Sequence, residues 1–321
     1  MIPLAGTARP PLGPAITRAA SSQTYYTIRL LVDRSRVADA YRAYAYFRWV
    51  DDILDAEGQP GSASQTTEQL ERVRFLDRQR SLLNRCLGGE TPRDVNDHEA
   101  MLVDLAGHDD RSSDGLEAYL RNMMLVMEFD IRRRGRLVSQ GELDDYTHWL
   151  AIAVTEAMHH FIGNGAASPH DDTRYLAVSG AHILHMLRDT YSDIQAGYYN
   201  VPAEVLEANS IGPEDVGTEA YRAWVRARVQ LAREYLDVGA GFFARVENVR
   251  HRLAGLAYIA RFEWLIETLE RDGFRVRPEY AERNSVTTGL RLGLHLLPAA
   301  FGVRANRSTS RSMPASDGSH L

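Results

Sequence analysis

The stretch Tyr46–Asp55, YFRWVDDILD, sets the reading of the chain. Tyr46, Phe47, Trp49, Val50, Ile53 and Leu54 are core residues by type, yet Asp51, Asp52 and Asp55 stand among them. On a helix Asp51 and Asp55 share a face one turn apart, with Arg48 one turn before Asp51. Asp52 points about 100° away from Asp51. Like charges on an apolar helix cost free energy unless something neutralises them.

A second stretch, His182–Pro202, HILHMLRDTYSDIQAGYYNVP, repeats the arrangement. Asp189 and Asp193 are again four apart, Arg188 adjoins Asp189, and His182 and His185 precede them on the same expected stripe. One such pair on a helix reads as a solvated face. Two on long apolar helices that face each other bring four carboxylates together, an arrangement that divalent cations relieve. Hard oxygen donors select Mg²⁺, which keeps several waters and bridges carboxylates to substrate phosphates. The chemistry implied is departure of a diphosphate.

The rest of the chain fits a helical frame. Helical periodicity runs near 22–32, 36–56, 65–87, 96–106, 114–134, 140–162, 172–195, 203–208, 217–247, 250–272 and 284–300. Turn-forming breaks such as EGQPGSAS and GNGAASPHDD separate these stretches. Alternating strand patterns are almost absent, and the expectation is one all-α bundle of more than four helices over 21–303. Residues 1–20 read as a loose arm and 304–321 as a loose tail.

Composition bounds the function. The 321 residues carry a net charge of −6, which gives nucleic-acid binding no support. The lone cysteine, Cys86, excludes an internal disulfide and suits the cytoplasm. No run of apolar residues is long enough for a spanning helix, so stable membrane insertion is not expected. Every basic residue is arginine, so a bound phosphate must be held by Arg, backbone amides, hydroxyls or metal.

YAYFRWVDDILD together with LRDTYSDIQAGYYNVP resembles the two aspartate motifs of the squalene/phytoene synthase family. TYYTIRLL (24–31) and MEFDI with GELDDYTHWLAIAV (127–154) resemble further family segments, in the same order over residues 22–202, and the match around ERDGFRV is looser. The resemblance implies an isoprenoid synthase-type helical bundle around a central apolar cavity. It implies Mg²⁺ on Asp51, Asp55, Asp189 and Asp193, and a prenyl diphosphate donor contacted by Arg48. Tyr146 would line the cavity. Thr24, Tyr26, Asp52 and Arg188 gain their expected site roles from the same match.

The second motif departs from the family. Gln-x-x-Asn-x-x-Arg-Asp becomes His182-x-x-His185-x-x-Arg188-Asp189, so His185 stands at a family metal ligand, and Gly-Arg-x-Tyr-Leu-Pro becomes Gly197-Tyr198-Tyr199-Asn200-Val201-Pro202. Two glycines of the central helix become Ile152 and Thr155, which are expected to narrow the cavity. These changes favour one diphosphate and a neutral aromatic acceptor such as a carbazole, with Tyr198 among the substrate-binding residues and either His182 or the released diphosphate taking the final proton. Head-to-head coupling of two prenyl diphosphates is the alternative. A non-catalytic bundle is an outside alternative, and a di-metal bundle, resting on the single Glu156-x-x-His159, is another. Met123, Met124 and Met127 read as core, and the arginine run IRRRGR (131–136) as a helix end that suits its dipole.

Overall fold

The computed structural model describes residues 12–56, 65–107, 114–163 and 165–281. Among them it contains twelve α-helices, one short 3₁₀ turn and no strand. The helices are α1 Leu12–Ala20, α2 Ser22–Leu31, α3 Val37–Asp55, α4 Gln65–Leu87, α5 Asp97–Gly107 and α6 Asp114–Arg133. There follow α7 Gln140–Phe161, α8 Leu176–Arg188, α9 Thr190–Ala196, α10 Ala203–Asn209, α11 Glu219–Ala244 and α12 Val249–Arg271. The expected all-α bundle is what the chain forms. The expected helix at 284–300 and the tail at 304–321 lie outside the described residues.

Two apolar cores share α7. One packs α2–α7 around Tyr46, Leu102, Leu120 and Val50; the other packs α8, α11 and α12 around Leu184, Val225, Phe242 and Leu265. A capping box starts α7 at a fixed place. The Ser139 hydroxyl accepts from the Glu142 amide at 3.3 Å, and the Glu142 carboxylate accepts from the Ser139 amide at 2.9 Å. Close approach is bought with glycine at α8: a Cβ on Gly180 would stand 2.8 Å from the Ala232 carbonyl of α11.

Two expectations on the elements need correction. Residues 12–20 are not a loose arm but helix α1, seated on α3. Thr17 is buried and its hydroxyl donates to the Gly13 carbonyl at 2.8 Å, while a Cβ on Gly13 would lie 3.2 Å from the Tyr41 backbone. Pro10 and Pro11 hid this helix, although proline ahead of a first turn is a normal helix start. The single helix expected at 172–195 is two. It breaks at Asp189, whose backbone (φ −93°, ψ 8°) leaves the helical region while the Thr190 hydroxyl donates back to the carbonyls of Met186 and Leu187 at 3.1 and 3.0 Å.

Candidate active site

Helices α2, α3, α6 and α7 enclose a cavity of about 520 Å³. Its α7 wall is the stripe Tyr146, Leu150, Val154, Ala157, Met158 and Phe161, which one helix face presents at this spacing. Ile152 and Thr155 lie off that stripe, and Thr155 is fully buried elsewhere, so they do not narrow the cavity as the sequence suggested. Met123 and Met127 are cavity wall rather than plain core; Met124 alone of the three is away from it. Arg48, Asp51, Asp130 and Tyr146, with Thr24, Thr27 and Tyr44, supply the polar part of the lining.

The first acidic motif opens onto this cavity. Arg48 donates to Asp51 at 3.2 Å and also reaches Asp52, which is more exposed and does not line the cavity. Burial, then the neighbouring Asp55 charge, pushes the Asp51 carboxyl up to about 6. In the second motif Arg188 donates to both carboxylate oxygens of Asp189, at 2.7 and 2.5 Å. Asp193 accepts from the Asn200 amide at 2.6 Å. Burial, followed by the Asp189 charge, raises Asp193 to about 6 as well, with the Asn200 hydrogen bond working against the rise.

What ties the two motifs together is Arg133. It is only 7% exposed. Its guanidinium donates to Asp130 at 2.8 Å and to the Asn200 carbonyl oxygen at 2.7 Å. It also lies between the rings of Tyr146 and Tyr198, 4.8 and 4.7 Å from their centroids. The Tyr146 hydroxyl donates to the other Asp130 oxygen at 3.1 Å, and the Tyr198 hydroxyl donates to Asp55 at 3.2 Å. One chain of contacts thus runs from Asp55 through Tyr198 and Arg133 to Asn200 and Asp193. Burial raises the Asp130 carboxyl, and Arg133 and Tyr146 hold it down in part. Asp130 in turn acts electrostatically on both Asp51 and Asp193, as expected of two acidic motifs converging on one place.

The arginine run was therefore misread. Arg132 is exposed, but Arg133 points inward and carries the site's central positive charge. The signal was present: Val126, Asp130 and Arg133 fall on one helix face, with Val126 and Arg133 buried. Arg134 reaches the same loop, donating to the Ala196 carbonyl at 3.1 Å. Asn200, where the family has tyrosine, is an internal bridge.

Other expected site residues are placed differently. The presumed stripe of His182, His185, Asp189 and Asp193 divides. His182 is buried edge-on to Tyr146, with centroids 4.8 Å apart, and burial followed by the Arg133 charge lowers its imidazole to about 3. His185 turns its ring to Phe262 of α12, at 4.8 Å. Thr24 lines the cavity, its hydroxyl donating to Ser21 at 2.9 Å. Tyr26 is 52% exposed and packs on Tyr25, outside the cavity lining. Glu156 is not a surface residue; it binds Arg174 through both oxygens, at 2.7 and 2.9 Å, and accepts from Tyr175 at 2.9 Å.

Among the described residues, no three acidic, histidine or cysteine side chains stand close enough to hold a metal ion by themselves. The donor set still fits Mg²⁺. It consists of hard oxygens in two clusters, and in each a carboxyl is pushed upward by burial first and by its neighbours' negative charge second. A cation supplied together with a diphosphate relieves that excess, and Mg²⁺ characteristically takes one or two protein carboxylates plus phosphate oxygens and water.

A helical bundle with paired acidic motifs over an apolar cavity defines the isoprenoid synthase class of fold. Residues 17–289 match the squalene/phytoene synthase family, and the chain belongs to it. That membership supports an enzyme that processes prenyl diphosphates. Solved structures agree on the fold. Squalene synthase HpnC from Alicyclobacillus acidocaldarius superposes with a TM-score of 0.63 at 19% identity, covering 83% of this chain and 94% of that one. A dehydrosqualene synthase crystallised with a ligand gives 0.64 at 15% identity, covering 89% and 93%. Among curated proteins, none matches the sequence significantly. No helix among the described residues is long and apolar enough to cross a membrane.

Proposed function

We propose that this protein is a Mg²⁺-dependent prenyltransferase that couples two prenyl diphosphates head to head. The observation that carries the reading is the Arg133 bridge, which joins both acidic motifs to one cavity. Mg²⁺ on Asp51, Asp55, Asp189 and Asp193 would supply the positive charge that stabilises departing diphosphate. Arg48 and Arg188, held by Asp51 and Asp189, would turn to phosphate oxygens when substrate arrives.

The chain's own residues would do the remaining work. Phe47, Tyr146 and the apolar α7 stripe exclude water from the allylic cation and offer it aromatic faces. The second prenyl chain attacks with its double bond, a proton leaves, and a cyclopropylcarbinyl diphosphate forms. Loss of its diphosphate gives the second cation, which rearranges to the head-to-head skeleton and loses a proton to give the neutral hydrocarbon. The Tyr146 hydroxyl, fixed by Asp130, faces this chemistry as a positioned dipole.

The aromatic-acceptor expectation loses its motive. Asn200 and Tyr198 are engaged within the acidic network, and His185 packs against α12. His182 as the final base has support only from its contact with Tyr146, and its low basicity argues against it. The test is mass spectrometry of hydrocarbon and diphosphate products after incubation with Mg²⁺ and farnesyl or geranylgeranyl diphosphate. The reading expects a head-to-head product or its cyclopropyl diphosphate from a single substrate. Products that form only when an aromatic acceptor is added would overturn it.

A further inference from the structure

On the opposite side of α7 lies a second concavity, of about 730 Å³, that shares no lining residue with the prenyl cavity. The start of α7, the segment 170–176 with the first turns of α8, and α11 form its walls. Its apolar surface comes from Ile183, Leu176, Leu231 and the rings of Tyr175 and Tyr235. His148 stands edge-on to Tyr175 at 6.2 Å, which leaves flat aromatic faces along one wall.

Arg228 is the anomaly in this groove. It lies one turn from both Val225 and Ala232, next to the buried stripe of α11, and is itself half-buried. Among the described residues its guanidinium meets no hydrogen-bond acceptor and no carboxylate at ion-pair distance. Of the other charges in the lining, Arg174 is held by Glu156, Asp171 by Arg245 at 2.7 Å, and Asp144 accepts from the Gln140 amide at 2.7 Å, while Asp172 is exposed to solvent. Asp144 acts on Arg228 only through space. Burial without a partner lowers the guanidinium's basicity, the direction expected of a cation stripped of water and given nothing in return. A solvated arginine would extend from an exposed helix face; this one is kept beside apolar walls, where an anion would gain a charge-assisted, two-pronged hydrogen bond.

We propose that this groove is a second ligand site, for a small molecule with one anionic head on an apolar or aromatic body, anchored by Arg228. One uncompensated cation matches one carboxylate or phosphate. Leu231, Ile183 and the two tyrosine rings match the body. The inference does not depend on which reaction the prenyl cavity performs.

The test is ligand-observed NMR titration of the full chain with 4-phenylbutyrate, its neutral counterpart 4-phenylbutanol, and inorganic phosphate. The expected result is saturable binding of 4-phenylbutyrate with a Kd below about 1 mM, at least about tenfold weaker in Arg228→Met. The alcohol and the bare phosphate should bind much more weakly. Val154→Phe, which fills part of the prenyl cavity and lies outside this groove, should leave the titration unchanged. Arg228→Met keeps the apolar stem and removes an unpaired charge, so its Tm should not fall. Leu231→Asp, which sets a carboxylate on the wall, is an independent second block. Absence of saturable binding, equal binding by Arg228→Met and Leu231→Asp, weakened binding in Val154→Phe, or equal binding of the alcohol or the bare phosphate would each overturn the proposal.

Discussion

Replacing Arg133 with methionine keeps the apolar stem and removes the charge that joins the two acidic motifs. Asp130, a half-buried carboxylate, then loses the one ion-pair partner it has among the described residues, and Asn200 loses a donor. Removing one partner of a buried pair costs about 3–5 kcal/mol. The ceiling is set by protonation: neutralising a carboxyl of ordinary pKa at pH 7 costs about 4 kcal/mol, and at pH 5 only about 1.5 kcal/mol. The sign follows. A carboxyl raised in the folded state is tolerated below its unfolded pKa and destabilises as pH rises through its folded one. Urea unfolding of the metal-free protein should therefore show a loss of about 4 kcal/mol at pH 7 that shrinks toward pH 5. The double variant Arg133→Met/Asp130→Asn should recover most of it, because both members of the pair are gone. Product formation should fall more than about 100-fold in both, since the Asp55–Asp193 register is lost in each. A loss under about 1 kcal/mol that is independent of pH would refute the reasoning about Arg133.

Three further outcomes are expected. Asp51 and Asp193, both pushed up to about 6, should make the metal-free protein most stable in mild acid and less stable as pH rises through 6. Mg²⁺ with a thiodiphosphate analogue should accordingly raise Tm strongly at pH 8 and hardly at pH 5. Arg174→Met should cost about 3–5 kcal/mol by leaving Glu156 buried and unpaired, yet leave KM of the residual folded enzyme unchanged, as read by denaturation and steady-state kinetics. Val154→Phe should shorten the longest prenyl diphosphate accepted, whereas Ile152→Ala should not, since only Val154 faces the cavity; product chain length distinguishes them.

The aspartate motifs and helical class were legible because both follow from spacing of four and an apolar period near 3.6, which survive without knowledge of tertiary contacts. The break at Asp189 was not: Thr190 turning back on Met186 and Leu187 is a side-chain choice that periodicity does not encode. The arginine run hid Arg133 because composition averages over a segment, while burial singles out one residue of it. His182 and His185 are three residues apart, near enough on a helix to be placed together. The neighbours of α8 decided otherwise, α7 taking one and α12 the other. Asn200 looked like a loss relative to the family; only the packed chain reveals it as a bridge between Arg133 and Asp193.

The most direct test of the central claim is the stoichiometry of diphosphate release. Purified protein is incubated with Mg²⁺ and radiolabelled farnesyl diphosphate, with no acceptor, and both diphosphate and hydrocarbon are counted. Head-to-head coupling run to completion predicts two diphosphates for each hydrocarbon formed, with release abolished by Asp51→Asn and by Asp189→Asn separately. One diphosphate per prenyl chain transferred, appearing only when an aromatic acceptor is supplied, would contradict the account.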